Sequence, residues 1–387
     1  MSTTPTERRG FALGLTIVAI VVIGTLVAGA SFLSTQEYRV GRNALVEQRA
    51  FAAAEYGMAK TINDWDKVRN LSMANGSSWG PDTIDTGNNS VAIVRTTRLN
   101  EETFWLVSEG LASRTNSSLA SRRVVSSALR VAWPSFTIKS ALMVRGQVEV
   151  QGSSKVNGND SIPDQWKTQG ICPPLDTDLP AVAAPDTSKV CEGNLSGSGC
   201  NTNGDRLFGN PEKIEDPAAA DTMTYFKYGS ETWKSLTTNA DIKLSGGTYK
   251  PEPVVSGGKC DKSSSLNWGD PWRTTACKDY FPVIYVNGSL KVASNAQGQG
   301  ILLVNGDLEL QGGFQFNGIV IVRDDIKTAG TGNKVSGAVF AGNTYVSDNS
   351  VVTGNAEIRY SSCAVERASL GASSLVRAPQ RGWAQLF

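Results

Sequence analysis

A long apolar run near the N-terminus is the clearest pattern in the chain, because residues 11–33 include no charged side chain. As a helix rising about 1.5 Å per residue, this run would be about 34 Å long and would cross a hydrocarbon core of about 30 Å. Residues 36–62 contain no proline, and their apolar positions recur at a spacing of three or four residues. Those positions are Val40, Ala44, Phe51, Ala52 and Ala59. The pattern predicts one continuous helix over residues 11–62, half of it in lipid.

Charge placement predicts the orientation of this helix. Arg8 and Arg9 precede the apolar run, which predicts a single-pass inner membrane protein with its N-terminus in the cytoplasm and its C-terminal bulk outside. Two alternatives stay open. Ala28-Gly29-Ala30 could be a cleavage site of a secretory signal, although the apolar run exceeds the usual length of about 7–15 residues. The run could also be a plain anchor without a specialised role.

Alternating polar and apolar residues predict a small antiparallel sheet after the helix. Turn residues dominate positions 63–90, and three alternating stretches follow at 91–99, 103–109 and 122–133. Such stretches are typical of half-buried strands joined as a meander. Residues 63–138 are therefore predicted to form an α+β unit with the outer half of the helix.

A fixed period of 18 residues marks the C-terminal half of the chain. Val286-Asn287-Gly288 recurs as Val304-Asn305-Gly306, and further steps of 18 reach Val322, Phe340 and Ile358. Repeats of strand and turn at constant period predict a β-solenoid, in which the first residues of these steps form one inner column. A second column would contain Leu290, Leu308, Ile326 and Thr344. The alternative is an ordinary sandwich or meander with regular turns.

The repeat also predicts the extent of the solenoid, residues 139–363. Residues 142–150 match the repeat and are predicted to be its first coil, with residues 157–281 inserted before the second. The Ala/Ser-rich residues 364–387 are predicted to cap the solenoid end, because open sheet edges promote aggregation. The fold class is thus mainly β with one long N-terminal helix, an α+β unit and a β-solenoid with a disulfide-rich insertion.

Composition narrows the chemistry. The chain has no histidine, which excludes Ser-His-Asp and Cys-His nucleophile systems and His-ligated metal sites. Its 37 basic and 36 acidic residues give a net charge of +1, which argues against a protein built to coat nucleic acid. The basic residues Arg114, Arg122, Arg123, Arg130, Lys139 and Arg145 are interleaved with few aromatics, Trp133 and Phe136. We interpret them as a solvated strand face, and nucleic acid is not an expected partner.

Six cysteines in a region predicted to be exported favour disulfides over a metal site. Six cysteines permit fifteen connectivities. Proximity in the sequence favours Cys191–Cys200 and Cys260–Cys277, which leaves Cys172–Cys363 as the remainder.

No cofactor or metal site is predicted. Residues 157–160 and 201–205 superficially resemble calcium loops, but they lack EF-hand spacing and are interpreted as turns. Some solenoids are carbohydrate-active enzymes with clustered acids, and here Asp307, Glu309, Asp324, Asp325 and Lys327 could line one outer face. Acids on an exposed strand more often solubilise it, so no catalytic residue is assigned and an enzyme is not expected.

The N-terminal region resembles that of PilX-type minor pilins, which are type IV pilus assembly proteins of the prepilin class. The resemblance lies in Arg8-Arg9-Gly10-Phe11-Ala12-Leu13, the apolar helix, and residues 48–57 with the sequence QRAFAAAEYG. It implies that residues 1–10 are a leader, that prepilin peptidase cuts between Gly10 and Phe11, and that the new amine of Phe11 is methylated.

One position departs from the pattern of major pilins. They carry a glutamate five residues into the mature chain, where this sequence has Leu15. Its absence resembles PilX-like and K-type pseudopilin subunits, and a carboxylate in hydrocarbon would be costly unless paired. We therefore expect a low-copy subunit.

Together these observations predict a membrane-anchored minor pilin-like subunit that takes part in type IV pilus assembly. Its expected partners are other pilin or pseudopilin subunits through the helix, the lipid bilayer and prepilin peptidase. The extracellular solenoid would serve spacing or cell adhesion through a surface glycan or protein. The alternatives are a K-type pseudopilin of a type II secretion system and an anchored carbohydrate-active solenoid enzyme.

Overall fold

The computed structural model describes residues 11–100, 102–113, 119–172, 176–193, 200–201, 204–229, 231–343, 349–377 and 383–386. The described chain divides into two compact units. The first draws on Met1–Asp66, Met73–Arg130 and Val376–Phe387, and the second on Lys67–Ser72 and Val131–Leu375. The predicted fold class is confirmed, since one long N-terminal helix is followed by mostly β structure with a large parallel solenoid and three disulfides.

The first unit combines a long helix with an antiparallel sheet. Its described elements are α1 (Phe11–Asn63), β1 (Ser78–Gly87), β2 (Ser90–Arg98), β3 (Thr103–Ser113), β4 (Leu119–Ala132) and the C-terminal strands Ser374–Arg377 and Trp383–Leu386. Strands β1 to β4 pair in chain order, and both C-terminal strands pair with β4. The helix contacts β2 and β3 along its C-terminal part.

The sequence did not predict which face of α1 packs on this sheet. The buried positions recur at the helical spacing and are Val46, Ala50, Ala53, Ala54 and Met58. Of the apolar positions that supported the helix prediction, Val40 is 65% exposed and Ala52 also faces outward. Both sides of this alanine-rich stretch are apolar, so hydrophobicity alone did not identify the side that packs.

Two predictions for the first unit are wrong. The turn-rich residues 63–90 contain strand β1, which accommodates Pro81 because it is an edge strand with a register shift between Trp79 and Asp82. The predicted cap, residues 364–387, does not close an end of the solenoid, since the helix Ser362–Gly371 packs along three of its stacked strands. Strand Trp383–Leu386 instead pairs antiparallel with β4, because it supplies the backbone partners that this strand needs on its free edge.

The second unit is the solenoid with its covering segments. Its helices are Lys67–Leu71, Trp233–Thr238 and Ser362–Gly371, with 3-10 turns at Asp164–Trp166, Thr187–Lys189, Pro217–Ala220 and Thr222–Tyr225. Its strands before the 18-residue repeat are Leu142–Val144, Gln147–Val150, Lys155–Asn157, Val182–Ala184, Val190–Glu192, Leu207–Phe208, Lys213–Glu215, Lys227–Tyr228, Glu231–Thr232, Ile242–Tyr249, Val255–Ser256 and Lys259–Cys260. Its later strands are Val283–Val292, Gln297–Val304, Leu308–Leu310, Gln315–Val322, Ile326–Thr328, Thr331–Ala341, Asn349–Val352 and Asn355–Tyr360.

The 18-residue period holds for three successive coils and then changes. Val286 pairs with Val304 and Val304 with Val322, as predicted. The next step is longer by one residue, so that Val322 pairs with Ala341 and Phe340 pairs with Ile321. Because side chains alternate along a strand, this shift moves Phe340 to the outer side of the coil. Phe340 is therefore wrongly placed in the predicted inner column.

The later members of both predicted columns also differ. Ile358 pairs with Val335 on another side of the solenoid, so it is not in the first column. Thr344 lies outside the described residues. In the second column Leu290 pairs with Leu308 and Leu308 with Ile326, as predicted.

The order of the coils in space differs from their order along the chain. Residues 142–150 do not precede the coil at 283–292. They stack instead on the coil that ends the repeat, where Met143 pairs with Phe340 and Val148 with Ser350. In the stack, residues 142–150 therefore lie next to the last coil of the repeat and not before its first coil.

The predicted insertion, residues 157–281, contributes to both ends of the stack. Val182–Ala184 and Lys213–Glu215 extend the solenoid beyond Leu142–Val144, whereas Ile242–Tyr249 pairs with Val283–Val292 at the other end. Tyr225, Tyr228 and Leu236, from the stretch between these ends, lie in the same buried cluster as Ile301, Ile321 and Phe340. The stretch therefore covers the outer apolar side of the coils, which explains why those strands are apolar on both sides.

Three disulfides join the predicted pairs, which are Cys191–Cys200 and Cys260–Cys277, favoured by proximity, and the remainder Cys172–Cys363. Cys363 lies in the first turn of the helix Ser362–Gly371, which packs on three long strands of the solenoid. The pair Cys172–Cys363 therefore connects residues 191 positions apart in the sequence.

Near this disulfide, Asp164 forms ion pairs with two cations of the outer solenoid surface. Its carboxylate lies 2.5 Å from the Lys334 Nζ and 3.1 Å from the Arg359 Nη2, and a third pair joins it to Lys167 at 2.8 Å. These hydrogen bonds and charges hold the pKa of Asp164 well below its usual range. The ion pairs connect the segment before Cys172 to two solenoid strands.

We expect Asp164→Asn to reduce the acid sensitivity of the second unit. An aspartate whose pKa is lowered by folding stabilises the protein above the unfolded pKa of about 3.9, and this contribution is lost as the pH falls. The expected effect is under about 1 kcal/mol, because the carboxylate is 42% exposed. Denaturant midpoints at about pH 6 and pH 3 measure it. An equal fall in midpoint for the wild type and the variant would contradict the prediction.

Candidate assembly interface

The N-terminal part of α1 presents an apolar surface that nothing in the described chain covers. Side chains from Leu13 to Leu33 are exposed, with Leu13 at 71% and Ile20 at 66%. The helix is long and apolar enough to cross a membrane, with a mean hydropathy of 2.5 in its most apolar window. A helix that is apolar all round requires a lipid or protein environment. Gly10, the predicted cleavage position, lies outside the described residues, and Phe11 begins the helix.

The exposed apolar surface continues past the run into the half of α1 that contacts the sheet. Tyr38, Val40, Leu45 and Tyr56 are each about half exposed or more, on sides of the helix that face away from β2 and β3. Arg42 lies over the Tyr38 ring, 5.6 Å from its centroid. One helix thus combines a fixed face toward the sheet with an unoccupied face.

Two glycines allow α1 to approach the sheet closely. A Cβ at Gly110 of β3 would lie 1.9 Å from the Ala50 carbonyl oxygen and 2.6 Å from the Ala54 nitrogen. A Cβ at Gly57 of α1 would lie 2.5 Å from the Ala92 Cβ. Backbone therefore contacts backbone where the helix crosses β3. Sequence reasoning missed both residues as functional positions, although a glycine inside an alternating strand indicates close backbone approach.

The described basic residues between Arg122 and Lys139 have acidic partners from other elements. Arg122 pairs with Glu109 at 2.5 Å and Arg130 with Glu102 at 2.7 Å. Arg123 pairs with Glu47 of α1. Such pairs reduce the local positive charge, in agreement with a solvated face. Arg114 lies outside the described residues.

The acidic row that could have marked an enzyme does not lie on one outer face. Glu309 pairs with Lys291 at 2.9 Å on the exposed surface, and Lys327 pairs in register with Glu309. Asp325 is only 9% exposed and accepts a hydrogen bond from the Asn343 amide at 2.6 Å. The row is therefore divided between the surface and a buried corner.

The candidate calcium loop at 157–160 is instead part of a capping interaction. Asp160 accepts hydrogen bonds from the backbone nitrogens of Ser362 and Asp176, at 2.8 and 2.7 Å. Asn157 accepts one from the Asn159 nitrogen, as in a turn. In the part of the chain that the structure describes, no three His, Cys, Asp or Glu residues are grouped to hold a metal ion.

A hydrogen-bonded row of side chains follows the corner of three coils in the second unit. The Asn305 amide donates to the Asn287 Oδ1 at 3.0 Å, and Arg323 donates to the Asn305 Oδ1 at 2.5 Å. We call Asn287, Asn305 and Arg323 the amide ladder. Sequence analysis found the period that places these residues together but assigned them no role.

Comparisons with known proteins add little to this geometry. No protein-family model matches the chain, and no curated protein matches it. Similar solved structures include the crystal structure of competence-associated pilin ComZ from Thermus thermophilus, which covers 88% of this chain and 96% of that chain at 12% identity and a TM-score of 0.24. At this TM-score the likeness carries no argument. The first unit is therefore described by its own architecture, a long helix whose C-terminal half packs on an antiparallel sheet.

Proposed function

We propose that the protein is a membrane-anchored minor pilin-like subunit that takes part in the assembly of a type IV pilus. The observation that carries the proposal is the division of α1 into two halves. Side chains from Leu13 to Leu33 are exposed and apolar, whereas Val46 to Met58 bury one side against β2 and β3. A helix fixed at one end and apolar at the other can be held in a bilayer and then pack among the helices of other subunits.

The residue at position 15 supports a low-copy role. Leu15 is 61% exposed within the apolar half, and no acidic side chain occurs between Gly10 and Glu37. Without a carboxylate there, the helix enters hydrocarbon at lower cost but lacks a charged contact with a neighbouring subunit. We infer that the subunit initiates a filament or lies near its tip. The solenoid would act outside the cell in surface contact or spacing rather than as an enzyme.

Maturation at position 11 tests the proposal directly. In cells with an active prepilin peptidase, we expect the mature chain to begin at an N-methylated Phe11, as measured by mass spectrometry of the intact protein and its first peptide. Gly10→Glu should leave the leader attached, because the cut follows this residue. Gly24→Ala is a matched control within the apolar run, where added volume meets open space, and should mature normally.

The same measurement separates the alternatives. A chain that begins at Ser31 would identify a removed secretory signal and would contradict the proposal. A chain that keeps its leader in the presence of the peptidase would indicate a plain anchor. Recovery of the mature chain in sheared pili, rather than with a secretion apparatus, distinguishes the pilus subunit from a K-type pseudopilin.

A further inference from the structure

Six side chains form a closed circuit on the outside of the solenoid. The Tyr285 hydroxyl donates to the Asn287 Oδ1 at 3.2 Å, which joins that ring to the amide ladder. At the other end of the ladder, Arg323 lies over the Phe226 ring, 5.2 Å from its centroid. Phe226 contacts Trp233, and Trp233 contacts Tyr285, both edge to face at 5.8 and 6.3 Å. The circuit thus has a polar side and an aromatic side.

The members of this circuit are accessible to solvent. Asn287 and Arg323 are exposed, and the other four side chains are partly exposed. Asn287 and Asn305 of the ladder come from neighbouring coils, and neighbouring strands lie about 4.8 Å apart. Amide and guanidinium groups therefore form a straight row at constant spacing, next to three aromatic rings.

This combination fits the two surfaces of a sugar. Amide groups both donate and accept hydrogen bonds and guanidinium donates several, which suits the hydroxyls of a pyranose. Tyr and Trp rings provide rigid apolar area for its C–H face. A straight row with a step of about 4.8 Å suits an extended chain of pyranose units rather than a coiled one.

The charges near the circuit favour a glycan over a nucleic acid. Arg323 is the cation of the circuit, whereas Asp307 and Asp324 lie within two residues of the ladder in the sequence. A polyanion bound along the ladder would approach these carboxylates, and binding of nucleic acid depends on several phosphate–cation contacts. The neutral hydroxyls of a sugar meet no such repulsion.

We propose that the circuit of Tyr285, Asn287, Asn305, Arg323, Phe226 and Trp233 binds an extended β-1,4-linked pyranose glycan. The inference deepens the proposed function, since it gives the surface contact of the solenoid a defined site and ligand class. It depends on that function only for the location of the site outside the cell.

Binding is tested with the purified full-length protein in detergent micelles, titrated with the uncharged β-1,4-linked hexasaccharides cellohexaose, chitohexaose and mannohexaose. We expect saturable binding of at least one hexasaccharide, seen by calorimetry and by a change in tryptophan fluorescence. Asn305→Ala and Trp233→Ala should each weaken this binding by about tenfold, the equivalent of one lost hydrogen bond or ring contact. The matched controls are Gln297→Ala on a solenoid strand and Trp272→Ala in the loop before Val283–Val292. Both lie outside the circuit, and binding should be unchanged.

Three outcomes would overturn the inference. The first is that none of the three hexasaccharides binds saturably, and the second is that wild type and both circuit variants bind equally. The third is that no glycan binds, whereas the oligonucleotide (dT)12 binds tightly and Arg323→Ala abolishes that binding. Far-ultraviolet circular dichroism shows whether each variant is folded. Maturation at Phe11 is measured in the same variants and should be unaffected, so failure of the site is distinguishable from failure of the proposed function.

Discussion

Gly110→Ala is expected to destabilise the contact between α1 and the sheet by about 3 kcal/mol, at the upper end of the usual cost of overpacking. The added Cβ would lie 1.9 Å from the Ala50 carbonyl oxygen and 2.6 Å from the Ala54 nitrogen. Both atoms belong to the helix backbone, so no side-chain rotation relieves the overlap. The helix must move away from β3, which would loosen the packing around the buried side chains of Phe104 and Leu106.

Hydrogen exchange measures this effect locally. Because a loss of about 3 kcal/mol corresponds to about a hundredfold change in an equilibrium constant, amides of β2 and β3 should exchange about a hundred times faster in the variant. The same change at Gly41 of α1 is the control, since a Cβ there meets nothing within 4 Å. Alanine at Gly41 should leave exchange in β2 and β3 unchanged. Equal protection in Gly110→Ala and wild type would show that the close contact does not hold the helix in place.

Gly110 also shows which property of the helix could not be predicted from the sequence. Length and apolar character predicted α1 to within one residue of its observed end at Asn63. The side that packs was not predicted, because alanines occur on both sides of residues 44–59. The packed side is determined by Gly57 of the helix and Gly110 of β3, which allow the two backbones to approach closely. Because Gly110 is distant in sequence, the helix sequence alone does not reveal this side.

For the solenoid, too, some features could be predicted from local sequence and others depend on residues that are distant in the sequence. The Val-Asn-Gly repeat predicted the 18-residue register, which holds from Val286 through Val322. The step from Gly318 to Gly337 is longer by one residue, and these two glycines still stack with φ of 143° each. A Cβ at Gly337 would lie 1.8 Å from the Gly318 carbonyl oxygen. The stacked glycines therefore fix the register across a change in period that a constant repeat cannot predict.

The position of residues 142–157 in the stack could not be predicted from the repeat. A coil of suitable pattern can stack on either end, because parallel strands of similar sequence offer equivalent backbone partners. The residues that cover the outside of the coils, which include Tyr225 and Tyr228, explain why residues 142–157 lie at the observed end of the stack. They connect Lys213–Glu215 to Ile242–Tyr249 along the outside of the coils, so the chain begins at one end of the stack and resumes at the other.

The candidate sites show the same contrast. The apolar surface of residues 13–33 was evident from composition, because it depends on local sequence alone. The glycan-binding circuit was not predicted, since Phe226 and Trp233 come from the covering segment and meet the amide ladder only after the coils stack. Residues from distant parts of the sequence define that site through tertiary contacts.

Replacing both Cys172 and Cys363 with alanine should cost the second unit more stability than replacing Cys191 and Cys200. The first pair closes a loop of 191 residues and the second a loop of 9. Loop-closure entropy gives about 5 kcal/mol for the long loop and about 3 kcal/mol for the short one. The long disulfide also joins a buried cluster, in which Cys363 packs with Trp166, Phe281 and Ala364.

Denaturant unfolding of the full-length protein in detergent, followed by tryptophan fluorescence, to which the buried Trp166 and Trp268 contribute, compares the two double variants. We expect both to unfold at lower denaturant than wild type, with the Cys172/Cys363 variant less stable by about 2 kcal/mol than its control. Reduction of the wild type should reproduce the sum of the losses, including that from Cys260–Cys277. If the Cys191/Cys200 variant is the less stable one, local contacts around the short loop stabilise the solenoid more than the long-range closure at the helix Ser362–Gly371.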